Sequence, residues 1–517
     1  MKAHLMHADA DFQLDGPEPW NAPDLVQDLE LEILLRAMSG EDEFLYKVAR
    51  AALLSGCATP EAVLYRQAVL RDCIRNPEAV ASLYAVTTEA LEVGKKAYWG
   101  LSHFVAAILG RSREVLLLYV GVLGKLRTLA DSYAETFASP GFSAFFSMLR
   151  RELGEDYFAE VQAHLDTLRF RHGVLISARL GRGNKGEDYV LRRPAAPEGS
   201  WLRRVFRRKP VSFRYQLPPR DEAGSQALSE LRGRGINQVA NALAQSTEHI
   251  LGFMTALRTE LAFYVACLNL HARLAGMDAP VVFPSPAPAH ARVRACQGLY
   301  DICLALHMGR QVVGNDLPAD GKSLCVITGA NQGGKSTFLR AVGVAQLMMQ
   351  CGMFVPAESW AGRLSTSVLT HYKREEDAAL KSGKLDEELA RMSRMVEHLE
   401  PGALVLFNES FAATNAREGA GIAREITLAL LEHGIEVFFV THLHDFARAL
   451  YEDRRADAIY LRARREDDGT RPFTLEQAPP QAGSHGEDLY RRVFGVEDVR
   501  PDEEAAPPAA SEAGDGH

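Results

Sequence analysis

The stretch GANQGGKST, residues 329–337, matches the phosphate-loop pattern G-x-x-x-x-G-K-[ST] over its first eight residues. An apolar run, SLCVITG, leads into it, and a helical pattern, TFLRAVGVAQLMMQ, follows. In such a strand–loop–helix setting, glycines let backbone N–H groups surround a phosphate, and the helix N-terminus adds partial positive charge. The predicted nucleotide ligands are Gly329, Ala330, Asn331, Gln332, Gly333, Gly334, Lys335, Ser336 and Thr337.

Two residues of this loop have distinct expected roles. Lys335 is expected to reach the β- and γ-phosphates of ATP, and the Ser336 hydroxyl is expected to bind Mg²⁺. A chance glycine-rich turn with a lysine would not explain an eight-residue match in this setting. ATP and Mg²⁺ are therefore the predicted cofactors.

A second polar element follows the apolar run ALVLF, where Asn408 and Glu409 end a predicted strand. Glu409 is placed to orient or deprotonate an attacking water. Nucleotide-hydrolysing sites usually have aspartate at the preceding position, where it holds the Mg²⁺ shell. Asn408 can still accept hydrogen bonds from metal-bound water but carries no charge, so we expect weaker Mg²⁺ binding or slower turnover.

A third element, VFFVTHLHDF, places two histidines after another apolar run. A histidine at the end of a strand beside Glu409 could contact the γ-phosphate and report its presence. We favour His442 over His444 for this role, which together with Lys335 and Glu409 completes the predicted catalytic set.

The bulk composition is that of a globular protein with two to four domains: 517 residues, 47% hydrophobic and 24% charged. We find no uncharged apolar run of the roughly 18 residues that a membrane span needs, and no apolar core of a targeting peptide at the start. The seven cysteines are scattered. They favour reduced thiols in a cytoplasmic protein over a zinc site or a disulfide framework.

The charge is unevenly distributed. Residues 179–220 contain twelve Lys and Arg against three Asp and Glu, a net charge of +9 in a chain whose total is −9. Such a segment predicts an anionic partner, bound through its phosphates without sequence readout. The alternative is a solvated or disordered basic loop. The candidate DNA-binding residues are Arg203, Arg204, Arg207, Arg208 and Lys209. Interleaved aromatics could stack on bases or fill a small core; they are Trp201, Phe206, Phe213 and Tyr215.

The chain order predicts a multidomain α plus α/β protein, with a helical lever, a β-containing tip, a returning helix and a P-loop domain with a mainly parallel sheet. VLISARLGRGNKGEDYVLRR predicts a β-hairpin, and VSFRYQL a further strand. The expected divisions are an N-terminal extension (1–24), a helical core and lever (25–175), a basic tip (176–222), a returning lever helix (223–278), a linker (279–299), the P-loop ATPase domain (300–500) and a disordered acidic tail (501–517).

Together these motifs resemble the ATPase domain of the MutS family of DNA mismatch-repair proteins. The likeness covers ITGANQGGKSTFLRAVGVAQLMMQCGMFVPAES, NESFAATNAREG, THLHDF and GSHGEDLYRRVFG, and more loosely YRQAVLRD at 65–72. It implies an ABC-like P-loop domain and a lever with a DNA clamp. It also implies a homodimer with composite ATP sites, in which Ser382 and Gly383 would contact the partner's γ-phosphate. Asn315 matches a family asparagine near the nucleotide.

Two departures from the family pattern bear on function. Asn408 replaces the usual aspartate, and the helical core begins near residue 25, which leaves no room for the family's mismatch-reading domain. The resemblance therefore implies an ATPase that clamps duplex, mismatched or branched DNA in mismatch repair or a related recombination step, with possible repair partners. The alternative is a nucleotide-gated DNA-binding module with little hydrolysis and no mismatch specificity.

Overall fold

A computed structural model describes residues 1–97, 104–171, 173–193, 213–374, 383–466 and 470–480 of the chain. Its first part is helical. The helices are α1 (Ala22–Asp28), α2 (Leu31–Ser39), α3 (Glu43–Ser55), α4 (Pro60–Arg75), α5 (Pro77–Ala97), α6 (Val105–Tyr133), α7 (Pro140–Glu152) and α8 (Glu155–Thr167). Prolines start α4, α5 and α7. Proline lacks a backbone N–H, but the N–H groups of a helix's first turn have no acceptor within the helix, so no hydrogen bond is lost there. Thr59 and Ser139 cap α4 and α7 through their hydroxyls.

The longest helix, α9 (Glu222–Ala275), has 54 residues and, at 1.5 Å per residue, is about 80 Å long. It packs along α5 and α6 and, nearer its C-terminal end, against α2 and α3. Helix α9 is, by length and composition alone, long and apolar enough in one 18-residue window to cross a membrane. Of that window, 67% is buried in the protein, so its apolar residues are explained by core packing.

The expected hairpin is present as strands β1 (Leu175–Leu180) and β2 (Gly186–Arg192), which pair antiparallel. The predicted strand VSFRYQL is wrong for its described part, because residues 213–217 form neither helix nor strand. Phe213 and Tyr215 are 95% and 84% exposed, so these two aromatics do not fill a core. Without a neighbouring strand to satisfy its backbone, an alternating pattern alone does not make a strand.

The N-terminal segment is packed against α9 by a buried carboxylate. Glu260 accepts hydrogen bonds from the backbone N–H groups of Leu5, Met6 and Phe12. Tyr264 donates its hydroxyl to the Leu5 carbonyl at 2.6 Å. Burial raises the pKa of Glu260 to about 7, although the three N–H groups oppose the rise. The segment expected to be a mere extension is therefore part of the helical core.

The second part of the chain is α/β. Its strands are β3 (Ser285–Ala287), β4 (Arg294–Leu299), β5 (Asn315–Pro318), β6 (Leu324–Thr328), β7 (Ser359–Arg363), β8 (Val368–Tyr372), β9 (Leu404–Asn408), β10 (Glu436–Val440), β11 (Ala458–Ala463) and β12 (Leu475–Gln477). Its helices are α10 (Ile302–Met308), α11 (Lys335–Gln350), α12 (Lys384–Val396), α13 (Ala416–Glu432) and α14 (His444–Glu452).

The strands form two sheets. The larger has the order β12-β11-β6-β10-β9-β8, with every pair parallel except β11–β12, as the predicted mainly parallel sheet requires. The smaller has the order β3-β7-β4-β5. Both β3 and β4 lie within residues 279–299, the stretch predicted as a linker. The prolines of this stretch interrupt helices but are compatible with short strands at the edge of a sheet.

Helix α11 joins the two parts. The backbone N–H of Cys57 donates to the Gln350 carbonyl at 2.6 Å, at the C-terminal end of α11. Arg66, 1% exposed, donates to the Cys351 carbonyl at 3.4 Å and to the Met6 carbonyl at 2.8 Å. The helix that starts at the phosphate loop thus ends against α4 and the N-terminal segment.

Candidate nucleotide-binding site

The phosphate loop lies where the sequence places it, between β6 and α11. Gly329 and Gly334 have φ values of +123° and +89°, in the region that favours glycine. A Cβ at Gly329 would also lie 2.8 Å from the Ala463 side chain of the neighbouring strand. Both the backbone angle and the close approach of β11 therefore require glycine at this position.

Lys335 begins α11 and lies 4% exposed under the loop. Its Nζ donates to the carbonyl oxygens of Gly329 and Ala330, each at 3.0 Å. Burial, opposed by the nearby Glu409 carboxylate and assisted by Arg471, lowers the pKa of Lys335 to about 8. A cation held by two neutral carbonyls gains from an incoming anion, as a phosphate-binding lysine must.

The predicted metal ligands are in direct contact. The Ser336 hydroxyl donates to Oδ1 of Asn408 at 2.8 Å, across the gap between α11 and the end of β9. Asn408 therefore presents an uncharged oxygen toward the first turn of α11. Among the described residues, no group of three or more His, Cys, Asp or Glu side chains could hold a metal ion. A divalent ion here would depend on Ser336, Asn408 and the phosphate oxygens themselves.

Glu409 and His442 come together at the ends of β9 and β10. Oε1 of Glu409 lies 3.0 Å from Nε2 of His442. The pKa of Glu409 is lowered, chiefly by this contact, with Lys335 contributing in the same direction. A carboxylate with a lowered pKa is a weak base, so Glu409 is better suited to orient a water molecule than to deprotonate it early. His444 instead begins α14.

A cavity of about 800 Å³ lies next to the loop, which is large enough for a nucleoside. It is lined by side chains of α10 and α11 and by Asn315, Gln332 and Phe473. Asn315 accepts from the Leu475 N–H at 2.6 Å and donates to the Phe473 carbonyl at 3.2 Å. Asn315 is thus adjacent to the cavity and holds the segment before β12 across it.

Two residues of that segment contribute to the site but are not signalled by any motif. Arg471 donates from Nη1 to Oε1 of Gln332 at 2.8 Å, and Phe473 lines the cavity. Both lie more than 130 residues from the loop in sequence. Only the antiparallel return of β12 beside β11 brings them to it, so their placement depends on the tertiary fold.

Several predicted positions lie outside the described residues. They are Ser382, the basic residues Arg203, Arg204, Arg207, Arg208 and Lys209, the closing segment GSHGEDLYRRVFG and the tail. Gly383 is described as the residue that precedes α12. The described part of the site nevertheless fits a nucleoside triphosphate with its metal ion: a glycine-framed loop, a buried lysine, a serine–asparagine pair and an adjoining cavity.

Comparison with known proteins identifies the family in which this domain arrangement occurs. Residues 325–484 match the family model MutS domain V, and residues 58–277 match the MutS2 N-terminal domain model. The chain belongs to the MutS family. The two MutS models together account for well over half of its length, including both the phosphate loop and the whole of α9.

The matching relatives carry MutS names. MutS protein homolog 4 of Mus musculus is 28% identical over 165 residues, which is 32% of this chain and 16% of the relative. DNA mismatch repair protein MutS of Chloroflexus aurantiacus is 31% identical over 172 residues, 32% of this chain and 18% of the relative. DNA mismatch repair protein MutS 2 of Halobacterium salinarum is 30% identical over 258 residues, which is 47% of this chain and 29% of the relative. The chain matches less than a third of the length of each of these MutS relatives.

Proposed function

We propose that this MutS-family chain is an ATPase that couples ATP binding and slow hydrolysis to the grip of its helical arms on DNA. The observation that carries the proposal is the meeting of three strand ends: the β6 phosphate loop, the Asn408–Glu409 end of β9 and His442 after β10. The strand–loop–helix geometry and the parallel sheet support an ABC-like P-loop NTPase domain. The process served is mismatch repair or a related recombination step, as the names of the relatives suggest for them.

The side chains divide the chemistry between them. Lys335 and the N-terminal N–H groups of α11 would hold the phosphates and stabilise the charge that develops on them. Glu409 would orient water for in-line attack, and His442, in contact with Glu409, would sense the terminal phosphate. Ser336 and Asn408 would hold Mg²⁺, which supplies further charge neutralisation when bound.

A second candidate is a nucleotide-gated module that scarcely hydrolyses ATP. The neutral Asn408 favours it, because a carboxylate there would bind Mg²⁺ more strongly. Steady-state phosphate release from the wild type, Glu409→Ala and Asn408→Asp separates the two candidates. The ATPase proposal expects the wild type to be faster than Glu409→Ala by at least about a hundredfold. A wild type as slow as Glu409→Ala supports the module instead.

DNA is the proposed partner. The supporting observations are the net charge of +9 on residues 179–220, the β1–β2 hairpin that begins that segment, and the exposed aromatics Phe213 and Tyr215. Fluorescence anisotropy with duplex, mismatched, four-way-junction and single-stranded DNA tests this. Neutralising the five basic residues Arg203, Arg204, Arg207, Arg208 and Lys209 should weaken binding at least about tenfold and flatten its salt dependence. Unchanged affinity would contradict a DNA-binding role for the segment.

Assembly and compartment are further parts of the proposal. A homodimer with composite ATP sites follows from the family resemblance and from Gly383 preceding α12, next to the predicted trans-acting Ser382. A cytoplasmic location is supported by the seven cysteines, all of them buried and free. Sedimentation at micromolar concentration with and without ATP tests the dimer, which should be favoured by ATP.

A further inference from the structure

The turn that carries Glu409 has an unusual backbone. Glu409 and Phe411 have φ values of +55° and +61°, in the left-handed region that residues with side chains rarely adopt. Such a conformation persists only where surrounding contacts determine it. The Glu409 N–H donates to the Val440 carbonyl at 2.9 Å, which fixes only the start of the turn.

The middle of the turn is held by His371 from the edge strand β8. The two residues His371 and Ser410 are both fully buried. The Ser410 hydroxyl donates to the His371 carbonyl and also lies 2.8 Å from its Nδ1. The His371 Nε2 lies 3.1 Å from the Glu388 carbonyl, which can only accept, so Nε2 carries the ring proton. Burial lowers the pKa of His371 to about 4, which keeps the ring neutral near pH 7.

The end of the turn is held by Glu388 from α12. Its Oε2 accepts the Phe411 N–H at 2.8 Å, and its side chain is 6% exposed. The Phe411 ring stacks on His371 at 5.3 Å between centroids and 20° between planes. On the other side, a Cβ at Gly419 would lie 2.3 Å from the Phe411 carbonyl. The turn is therefore enclosed by β8, α12 and α13.

We propose that Glu388 and His371 are positioning residues that hold this turn so that the Glu409 carboxylate faces His442 and the phosphate loop. The inference rests on the hydrolysis proposed above. Neither residue lines the phosphate loop. His371 acts through the Ser410 hydroxyl and the Phe411 ring, and Glu388 acts through the Phe411 backbone N–H. Because Glu388 is on α12, the position of that helix sets the orientation of Glu409.

A second contact supports the role of α12. Arg391, one turn after Glu388, donates from Nη1 to the carbonyl of Tyr372 at 2.9 Å, at the end of β8. The next backbone N–H, that of Lys373, donates to the Asn408 carbonyl at 3.0 Å. Helix α12 is thus bonded directly to the end of β8 and linked through Lys373 to the end of β9, so movement of α12 would be passed to Asn408 as well as to the Glu409 turn.

Three variants test the proposal on the full chain. Glu388→Met keeps the volume but removes the acceptor, Glu388→Gln keeps an acceptor, and Asp386→Asn changes an exposed carboxylate of the same helix. We expect Glu388→Met to lower kcat for phosphate release at least about tenfold while the Kd for ATP changes less than about twofold. Glu388→Gln should retain about half of kcat or more, and Asp386→Asn should match the wild type.

A double variant separates positioning from general stability. In the Glu409→Gln background, adding Glu388→Met should change the residual rate less than about twofold, because the group being positioned is already gone. Hydrogen exchange at the Phe411 amide should speed up in Glu388→Met but not in Glu388→Gln. If Glu388→Met does not fold, Glu388→Asp replaces it, with a shorter reach and an intermediate loss of kcat.

The outcomes are distinct. A wild-type kcat in Glu388→Met, a loss that adds fully to that of Glu409→Gln, or a parallel loss of ATP affinity overturns the positioning role and leaves the proposed ATPase standing. A wild type that binds ATP without releasing phosphate overturns the proposed hydrolysis and this inference with it.

Discussion

The two ends of the molecule place their functional side chains in opposite ways. At the strand ends of the larger sheet, Lys335 and Asn408 project from buried elements and contact fixed partners. At the hairpin end of the lever, Leu180 and Tyr215 are 79% and 84% exposed. Hydrolysis requires atoms placed within a fraction of an ångström, whereas attraction to a phosphate backbone requires only charge density. The difference predicts that single substitutions disable the first end and only weaken the second.

The largest effect is expected at Glu409. Glu409→Gln should lower kcat about a thousandfold, because the neutral amide orients and activates water poorly, and ATP affinity should change less than about threefold. Phosphate release under multiple-turnover conditions measures it, with the exposed Glu432→Gln as control. A loss below tenfold would mean that another group handles the water.

A pH effect is expected between the two ends, at Glu260 on α9. Its pKa rises to about 7 on folding from an ordinary 4.5, so the unfolded chain loses this proton first as pH rises. The Glu260 contribution to stability is full below pH 4.5 and falls by about 3 kcal/mol up to pH 7. His7, whose pKa burial lowers to about 4, acts in the opposite direction over a similar range.

The quantity to measure is therefore the difference in free energy of unfolding between the wild type and a Glu260 variant. Denaturant unfolding of the wild type and Glu260→Leu at pH 5, 6, 7 and 8 cancels the His7 contribution. The wild type should lose stability relative to the variant by about 2.5 kcal/mol across that range, chiefly below pH 7.5. A difference that stays constant with pH would show that Glu260 titrates normally.

Lys335→Ala should affect the nucleotide site and leave the DNA-binding end unchanged. The variant should weaken ATP binding about a hundredfold, since a buried charge-assisted contact to phosphate is lost, while nucleotide-free DNA binding stays within about twofold. Calorimetry and anisotropy measure the two, with Lys322→Ala at the other end of β6 as control. Parallel loss of both activities would point to misfolding, and loss of neither to a different nucleotide site.

The smallest effect is expected at Arg471. Its guanidinium contacts Gln332 of the loop but is partly exposed, so Arg471→Gln should weaken ATP binding only about three- to fivefold. Arg464→Gln, in the same β11–β12 segment, is the control. A hundredfold loss would place Arg471 among the principal phosphate ligands, and no loss would limit it to a surface contact.

The sequence predicts the parts of this molecule that depend on neighbouring residues. Local sequence patterns indicate the phosphate loop, the Asn408–Glu409 strand end, His442, the hairpin and α9. Strands β3 and β4 were not predicted because they are short, contain or follow prolines, and form by pairing with strands that are distant in sequence, β3 with β7 and β4 with β5 and β7. The contacts of His371 and Glu388 with the Glu409 turn were not predicted for the same reason, because each contact joins elements that are distant in sequence.

The central claim is that the nucleotide at the phosphate loop controls the distant arms. Its most direct test is the DNA affinity of the non-hydrolysing Glu409→Gln variant, titrated by anisotropy at fixed salt with and without saturating ATP and Mg²⁺. We expect the DNA affinity to change at least about fivefold, with the ATP affinity changed by DNA to the same extent, as linkage requires. Identical DNA affinity in both conditions, with ATP shown to be bound, would contradict it.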